Sequence, residues 1–208
     1  MARYTGAVCK QCRRENLKLS LKGEKCVTEK CPVEKKPYPP GEHGRRRTKE
    51  SQYYGQLREK QRAKRMYGIL EKQFRNYYED ASHKKGITGE NLLQVLETRL
   101  DNIIYRAGFA ASRAEARQLI RHGSTEVNGR KVNIPSAQLK PGSKAALRGK
   151  VKESNRLKAF LASPVRPEVP GWLVSDDKNL SVEVKHIPSR DEISVPIREQ
   201  LIVELYSK

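Results

Sequence analysis

The sequence predicts an α+β fold class, in which several helices precede short antiparallel strands. From Ser51 to about Lys85 the apolar residues follow a helical spacing, and Gly68 is expected to separate two helices there. A second apolar stripe, from Thr88 to Ile104, has the spacing of one buried helical face. Farther along the chain, Asn128-Gly129 lies between β-prone runs and is typical of a hairpin turn. Helices and strands are therefore expected in different parts of the chain.

Three more elements are predicted from local patterns. Ser112 and Glu115 have the spacing of a capping box, which marks the start of a helix, and Gly123 is expected to end that helix. Strands are predicted at Ala145 to Arg148, after a turn, and at Ser181 to Lys185, where polar and apolar residues alternate.

Positive charge is concentrated in the first three quarters of the chain. The 208 residues include 43 Lys and Arg against 24 Asp and Glu, a net charge of +19. Residues 151–208 contain as many acidic as basic residues, so the excess lies before them. This asymmetry predicts a polyanionic partner. Nucleic acid is favoured over an anionic membrane, because the basic residues are spread over several elements and not gathered in one amphipathic helix.

The composition argues against several other classes of protein. Only 36% of the residues are hydrophobic, which disfavours a large enclosed substrate cavity. The longest apolar run, Ala159 to Ala162, is far shorter than the roughly 20 residues that cross a bilayer. The first residues are polar and cationic, unlike a secretory signal. We therefore expect a cytoplasmic protein with no membrane partner and no small-molecule substrate.

Four cysteines near the start predict a structural metal site. Cys9 and Cys12 form one close pair, and Cys26 and Cys31 form a second. Two pairs joined by a loop can supply four thiolates to one tetrahedral zinc ion, which would leave no position open for a substrate. An iron–sulfur cluster is the alternative. Disulfides are disfavoured in a reducing cytoplasm.

Basic residues accompany these elements and are expected to contact phosphates. Arg13 and Arg14 follow the first cysteine pair, where neutralising the thiolates is an alternative role. Arg113, Arg117 and Arg121 fall at i, i+4 and i+8, so we expect their guanidinium groups to line one exposed helix edge. Without a partner these arginines would repel one another, and phosphates would remove that repulsion.

A basic arm and a cationic helix face complete the set. The arm, rich in Pro and Gly, runs from Lys35 to Lys49 and is expected to be extended. On the predicted helix after Ser51, basic residues form one face: Arg58, Lys60, Arg62, Lys64 and Arg65.

Several runs resemble the family named after bacterial small-subunit ribosomal protein four. The RNA-binding module of that family is similar to Arg99 to Phe109, Ser112 to Gly123 and Val127-Asn128-Gly129. Motifs outside the module resemble the same family: Met1-Ala2-Arg3-Tyr4, Pro40-Gly41-Glu42-His43-Gly44, Leu57-Arg58-Glu59-Lys60-Gln61, Gln73-Phe74-Arg75-Asn76-Tyr77 and Gln200 to Ser207. The resemblance covers essentially the whole chain.

The resemblance implies an architecture in three parts. A zinc-binding segment with a basic arm is expected at 1–45, and a mainly helical domain at 46–96 joined by 176–208. An α+β RNA-binding module, with helices on a small antiparallel sheet, is expected as an insertion at 97–175.

The resemblance also implies a function without catalysis. Members bind a helical junction in the 5′ domain of small-subunit ribosomal RNA, nucleate assembly of the subunit and contribute to translational accuracy. They line the pore through which messenger RNA enters, beside ribosomal proteins three and five. Some repress translation of their own operon's messenger.

Carried over residue by residue, the resemblance adds RNA-contacting positions. In the module and its hairpin these are Arg106, Ser112, Arg113, Arg117, Gln118, Arg121, His122, Asn128, Gly129 and Arg130. Residues expected to face messenger RNA are Arg46, Arg47 and Lys49. Arg3, within the matching N-terminal motif, completes the predicted RNA-binding set with Arg13, Arg14, Arg58, Lys60 and Arg62.

Two alternatives belong to other functional classes. An RNA-modifying enzyme could use the same module as a docking arm, but its catalytic pocket would need an Asp, Cys or Glu, and here the acidic residues are dispersed. Assaying ribosomal RNA for modified uridines distinguishes this alternative. A zinc-stapled DNA-binding regulator is the other, and it predicts that duplex DNA displaces junction RNA at equal salt.

Overall fold

A computed structural model describes residues 3–46 and 50–207, which fold as two compact units. The first comprises the described residues up to Leu92 together with those from Val195 onward, and the second is Leu93–Ser194. The second unit extends beyond the segment 97–175 that the resemblance implies. It includes residues 176–194, which that division gave to the helical domain, because residues 181–184 form a strand of its sheet.

Helices dominate the chain, and one small sheet accompanies them, which confirms the predicted α+β class. Within the described residues the elements are, in chain order, α1 (Val8–Glu15), α2 (Pro32–Lys35), α3 (Gln52–Met66), α4 (Glu71–Ser82), α5 (Thr88–Glu97), α6 (Leu100–Arg106), α7 (Arg113–Arg121), β1 (Thr125–Val127), β2 (Arg130–Lys131), β3 (Lys144–Leu147), α8 (Asn155–Leu161), β4 (Leu173–Asp176), β5 (Ser181–Val184) and α9 (Glu199–Tyr206). Short 3-10 helices cover Gly23–Cys26 and Gly149–Glu153. None of these helices is long and apolar enough to cross a membrane.

Gly68 separates α3 from α4, as the sequence predicts. Its φ is +64°, in the left-handed region. The N–H of Gly68 donates to the carbonyl of Arg65, and the N–H of Ile69 donates to that of Lys64. This termination satisfies carbonyls at the end of α3 that a continuing helix would have used.

The helix α9 brings residues from the end of the chain into the core of the first unit. The Tyr206 ring stacks on Tyr78, with ring centroids 4.5 Å apart. Gln56 Nε2, on α3, donates to Glu204 Oε2 at 2.7 Å. Ile202, on the same helix, is fully buried. Packing between distant parts of the chain therefore closes this unit.

The second unit contains a single antiparallel sheet, with strands in the order β2-β1-β3-β5-β4. Asn128 and Gly129, with φ of +49° and +77°, form the predicted two-residue turn between β1 and β2. The edge strand β4 is a finding of the structure that no sequence pattern indicated. Ile103 of α6 and Ile120 of α7 share one apolar cluster with residues of the sheet, so both helices contribute to its core.

The prediction of a single helix from Thr88 to Ile104 is wrong. The helix is interrupted at Thr98 and Arg99, which separate α5 from α6. Arg99 has an extended backbone, with φ −68° and ψ 140°, and forms a β-bridge with Gln138. Backbone groups of residues 135–139 bond to residues 98–101 in place of the helical hydrogen bonds. Tertiary pairing thus overrides the apolar spacing.

We expect Gly129→Ala to lower the free energy of unfolding by about 1 to 2 kcal/mol, because an alanine is strained in the left-handed region. An added Cβ would meet no atom within 4 Å, so the cost is conformational and not steric. Gly171→Ala is the matched control, since Gly171 has open space and no positive φ. Urea unfolding of both variants measures the difference, and equal losses would contradict this account of the turn.

Candidate nucleic-acid interface

The four cysteines all belong to the first unit. Cys12 and Cys31 are buried, and Cys9 and Cys26 are half-buried. Burial raises the pKa of the Cys12 thiol, and electrostatic interaction with the other three cysteines raises it further. The N–H of Lys22 donates to Cys26 Sγ at 3.3 Å. The fold therefore brings both predicted pairs into one neighbourhood.

The chemistry of this donor set fits a metal ion, because four thiols and an N–H donor to sulfur suit a thiolate site. Within residues 3–46 and 50–207, however, no group of three or more His, Cys, Asp or Glu side chains is placed so that it could hold a metal ion. Zinc binding accordingly stays a prediction.

Arg13 holds the arm after α2 against the start of the chain. Its Nε donates to the carbonyls of Lys36 at 3.2 Å and Tyr38 at 3.0 Å. Its guanidinium group lies 4.9 Å from the Tyr38 ring centroid, and Arg45 lies at the same distance from that ring. The Arg13 side chain thus organises the arm, whereas the prediction gave it a phosphate or a thiolate as partner.

The predicted cationic face of α3 is largely neutralised within the protein. Its three predicted RNA-binding residues form ion pairs, with nitrogen–oxygen distances of 3.1 Å for Arg58–Glu15, 2.5 Å for Lys60–Glu71 and 2.8 Å for Arg62–Glu59. Lys60 is only 8% exposed. The prediction of a free cationic face on α3 is therefore wrong. These basic side chains form ion pairs with acidic side chains, two of which lie outside this helix.

The prediction that three arginines line an exposed edge of α7 is wrong for two of them, Arg113 and Arg117. Arg113 and Arg117 are 8% and 7% exposed. Arg117 Nη2 lies 2.7 Å from Asp101 Oδ2. Arg113 Nε donates to Asn102 Oδ1 at 2.8 Å, and its guanidinium group lies 4.5 Å from the Tyr105 ring centroid. Groups inside the protein, and not phosphates, thus relieve the expected repulsion.

Two more arginines of the second unit complete a buried ionic cluster. Arg99 Nε and Nη2 bind the two Asp101 oxygens at 3.0 and 2.7 Å, so Asp101 is shared with Arg117. Arg106 Nε and Nη2 bind the two carboxylate oxygens of Glu97 at 3.1 and 2.8 Å. Arg106, a predicted RNA contact, is therefore committed to a carboxylate in this structure.

Ser112 also has a structural role. It is 8% exposed, and its Oγ accepts a hydrogen bond from the N–H of Glu115 at 3.3 Å, which confirms it as the cap of α7. Glu115 Oε2 accepts from the N–H of Ala111 at 2.9 Å, one residue before the donor that a capping box predicts.

The remaining predicted residues of the module are exposed: Gln118, Arg121, His122, Asn128, Gly129 and Arg130. Asn128 is partly engaged, since its Oδ1 accepts from the N–H of Lys144 at 2.9 Å. The cationic side chains of Arg121 and Arg130 are free of the buried cluster and face solvent.

Two basic residues that the sequence reasoning missed lie beside the end of α7. The exposed Lys131 side chain lies against Gly123, immediately after His122. The N–H of the exposed Arg148 donates to the carbonyl of Ser124 at 2.9 Å. No local pattern could have indicated this, because sheet pairing brings residues 123–124, 131 and 148 together. We call Arg121, His122, Arg130, Lys131 and Arg148 the basic corner.

Predicted residues near the start of the chain are also exposed where they are described. Arg3, Arg14 and Arg46 are accessible to solvent. Arg47 and Lys49 lie outside the described residues.

Comparison with known proteins gives consistent results over the whole chain. The family described as "Ribosomal protein S4/S9 N-terminal domain" matches residues 3–97, and the S4 domain matches residues 98–144. The chain is 57% identical to small ribosomal subunit protein uS4A of Symbiobacterium thermophilum and to protein uS4 of Anaeromyxobacter sp. strain K. It is 55% identical to protein uS4A of Myxococcus xanthus. Each alignment covers 208 residues and 100% of both chains.

The antiparallel sheet, the capped helix α7 and the family match over residues 98–144 together define an S4 domain. The chain belongs to the ribosomal protein S4 family, because both family models match it and its relatives align over their full length. This confirms the resemblance seen in the sequence. Members of this family are structural components of the small ribosomal subunit that bind ribosomal RNA, and they are not enzymes.

Arg117→Ala is expected to lower the free energy of unfolding by about 3 kcal/mol, because it removes one partner of the buried Asp101 carboxylate. Arg121→Ala is the matched control, since it makes the same truncation one helical turn later at an exposed position. Its effect is expected to stay within about 0.5 kcal/mol. Denaturant unfolding of both variants measures this, and an Arg117→Ala protein as stable as the control would contradict a structural role.

Proposed function

We propose that this protein is an RNA-binding scaffold of the small ribosomal subunit in the cytoplasm. The basic corner carries this proposal, because it combines several exposed cations on a rigidly paired sheet and a capped helix. Arginine forks and lysine ammonium groups there suit phosphate oxygens. The deep major groove of A-form RNA hides base edges from side chains, so such a surface reads the shape and the backbone of RNA.

The finer role that we propose follows the family resemblance. The RNA partner is a helical junction in the 5′ domain of small-subunit ribosomal RNA, bound early in assembly. Exposed Arg46, with Arg47 and Lys49 outside the described residues, is proposed to face messenger RNA at the pore through which it enters. Ribosomal proteins three and five are the proposed neighbours there, and translational accuracy and repression of the operon's own messenger are the associated roles.

RNA binding by the basic corner is tested by its salt dependence. Affinity for the junction RNA is expected to fall with salt, with a log–log slope of about −0.7 to −0.9 per phosphate neutralised. We expect Arg121→Ala to make the slope shallower by the contribution of about one phosphate contact, without unfolding the protein. Lys185→Ala removes the same charge after β5, two strands away from β1, and should leave the slope unchanged. Equal slopes for all three proteins would count against the basic corner.

We also propose that Cys9, Cys12, Cys26 and Cys31 hold one structural zinc ion. Support comes from their two-pair spacing, from the electrostatic interaction among the four thiols and from the scarcity of apolar residues around them. A bound zinc would link the two pairs and stabilise the segment that carries them. An iron–sulfur cluster remains the alternative occupant of the same ligands.

Metal analysis tests the zinc proposal. The purified chain is expected to contain about one zinc, and Cys12→Ser should lose the metal and expose the first forty residues to protease. Val27→Ser is the control, because Val27 is exposed beside Cys26 and offers no ligand. A Cys12→Ser protein that keeps its metal would refute the four-thiolate site, and iron with a visible absorbance band would replace zinc.

A further inference from the structure

The turn between β1 and β2 contains the only asparagine in the sequence that is followed by glycine. Asn128 and Gly129 are both exposed, and an added Cβ at Gly129 would meet no atom within 4 Å. The backbone nitrogen of Gly129 is therefore open to water and is not crowded by a side chain of its own. This nitrogen is the nucleophile that can attack the side-chain carbonyl of the preceding asparagine, because the two groups close an unstrained cyclic imide.

The Gly129 nitrogen has no other hydrogen-bonding role. Within residues 3–46 and 50–207 its N–H donates to no acceptor, since the turn pairs Val127 with Arg130 and leaves Gly129 outside the ladder. A backbone nitrogen that attacks a carbonyl must lose its proton, and a hydrogen bond to a protein acceptor would oppose that loss. The turn thus presents this nitrogen in a form that solvent can deprotonate.

The carbonyl that would be attacked is held by a backbone donor. Asn128 Oδ1 accepts a hydrogen bond from the N–H of Lys144, on β3, at 2.9 Å. The N–H of Asn128 donates in turn to the carbonyl of Lys144 at 2.8 Å. Negative charge develops on an amide oxygen when a nucleophile adds to its carbon, and a donor directed at that oxygen stabilises the charge. The Lys144 N–H therefore favours addition at Asn128 Cγ.

We propose that Asn128 is a site of spontaneous deamidation, which replaces a neutral amide at the tip of this hairpin by a carboxylate. The Gly129 nitrogen loses its proton to water and bonds to Asn128 Cγ, and the bond from Cγ to Nδ2 breaks as ammonia leaves. Water then opens the cyclic imide. Addition of water at Cγ gives Asp, and addition at the main-chain carbonyl of Asn128 gives isoaspartate. One water is consumed, one ammonia is released, and no group is oxidised or reduced.

The new carboxylate would lie beside the basic corner, because Arg130 and Lys131 follow it directly in β2. A negative charge at this point repels phosphates, and isoaspartate also adds a methylene to the main chain of a two-residue turn. This consequence rests on the RNA-binding function proposed above, whereas the chemistry of the turn does not. Copies of the chain that remain without RNA are expected to lose affinity for it as they age.

The chemical step is tested by incubating the full chain in warm, mildly alkaline buffer and measuring each asparagine by peptide mass spectrometry. Enzymatic methylation of isoaspartate detects the second product. Asn133 is the internal control, because it is also exposed but precedes Ile134, whose branched side chain crowds the attacking nitrogen. We expect Asn128 to convert at least about tenfold faster, since one donor to a developing oxyanion contributes about a hundredfold in an enclosed site and less at a surface. Equal rates at the two positions would overturn the proposal.

A substitution at the glycine tests the uncrowded nitrogen. Gly129→Ala adds a Cβ beside the nucleophile and should slow the conversion of Asn128 to a rate near that of Asn133. Gly171→Ala is the matched control, because it makes the same change in open space without a positive φ, and it should leave the rate unchanged. Circular dichroism at the incubation temperature confirms that both variants are folded. Conversion of Asn128 at the same rate in both variants would contradict the proposed chemistry.

Asn128→Asp reproduces one product and measures the consequence for RNA binding separately. At one fixed salt concentration its affinity for small-subunit ribosomal RNA should be about fivefold weaker, the effect of one like-charge contact at about 4 Å in water. Asn133→Asp adds the same charge outside the basic corner and should bind as the unaltered chain does. Equal binding by the two variants would overturn the effect on RNA. Failure of the unaltered chain to bind would overturn the proposed function, while the mass spectra alone decide the deamidation site.

Discussion

The buried carboxylate of Asp101 is the constraint on which the second unit depends. It is 1% exposed and is bound by Arg99 at the start of α6 and by Arg117 in α7. A carboxylate in that position is tolerated only when well paired, so the two helices must meet with their arginines facing it. Because Arg99 also bridges to Gln138, the same cluster fixes where α5 ends and how the following chain returns to the sheet.

Arginine therefore has two distinct functions in this module. Paired arginines such as the half-buried Arg106 and the buried Arg117 neutralise carboxylates and position helices. Exposed ones such as Arg121 and Arg130 leave their donors to solvent and to phosphates. The rigid cluster beneath supports the basic corner, since α7 is held at one end by its cap and along its length by these ion pairs. The large net charge thus overstates the number of residues available to RNA.

The first unit uses the same principle at a different carboxylate. Glu15, at the end of α1, is bound by Arg58 and Arg65 of α3, so the cysteine-bearing segment is joined to the helical unit by ion pairs as well as by packing. Only one of the two Glu15 oxygens is used by these pairs. The other oxygen is buried and has no hydrogen-bond partner among the described residues.

Local signals in the sequence determined the elements whose interactions are themselves local. The Ser112 cap, the Gly68 break and the Asn128-Gly129 turn each depend on the conformation of a few adjacent residues, and each is found as predicted. The resemblance to the S4 family likewise came from contiguous motifs. Which arginines are free was decided only by the tertiary structure, because Arg117 meets Asp101 across 16 positions and Arg58 meets Glu15 across 43. Helical spacing tells which side chains share a face, whereas the fold alone decides whether that face meets water, a carboxylate or RNA.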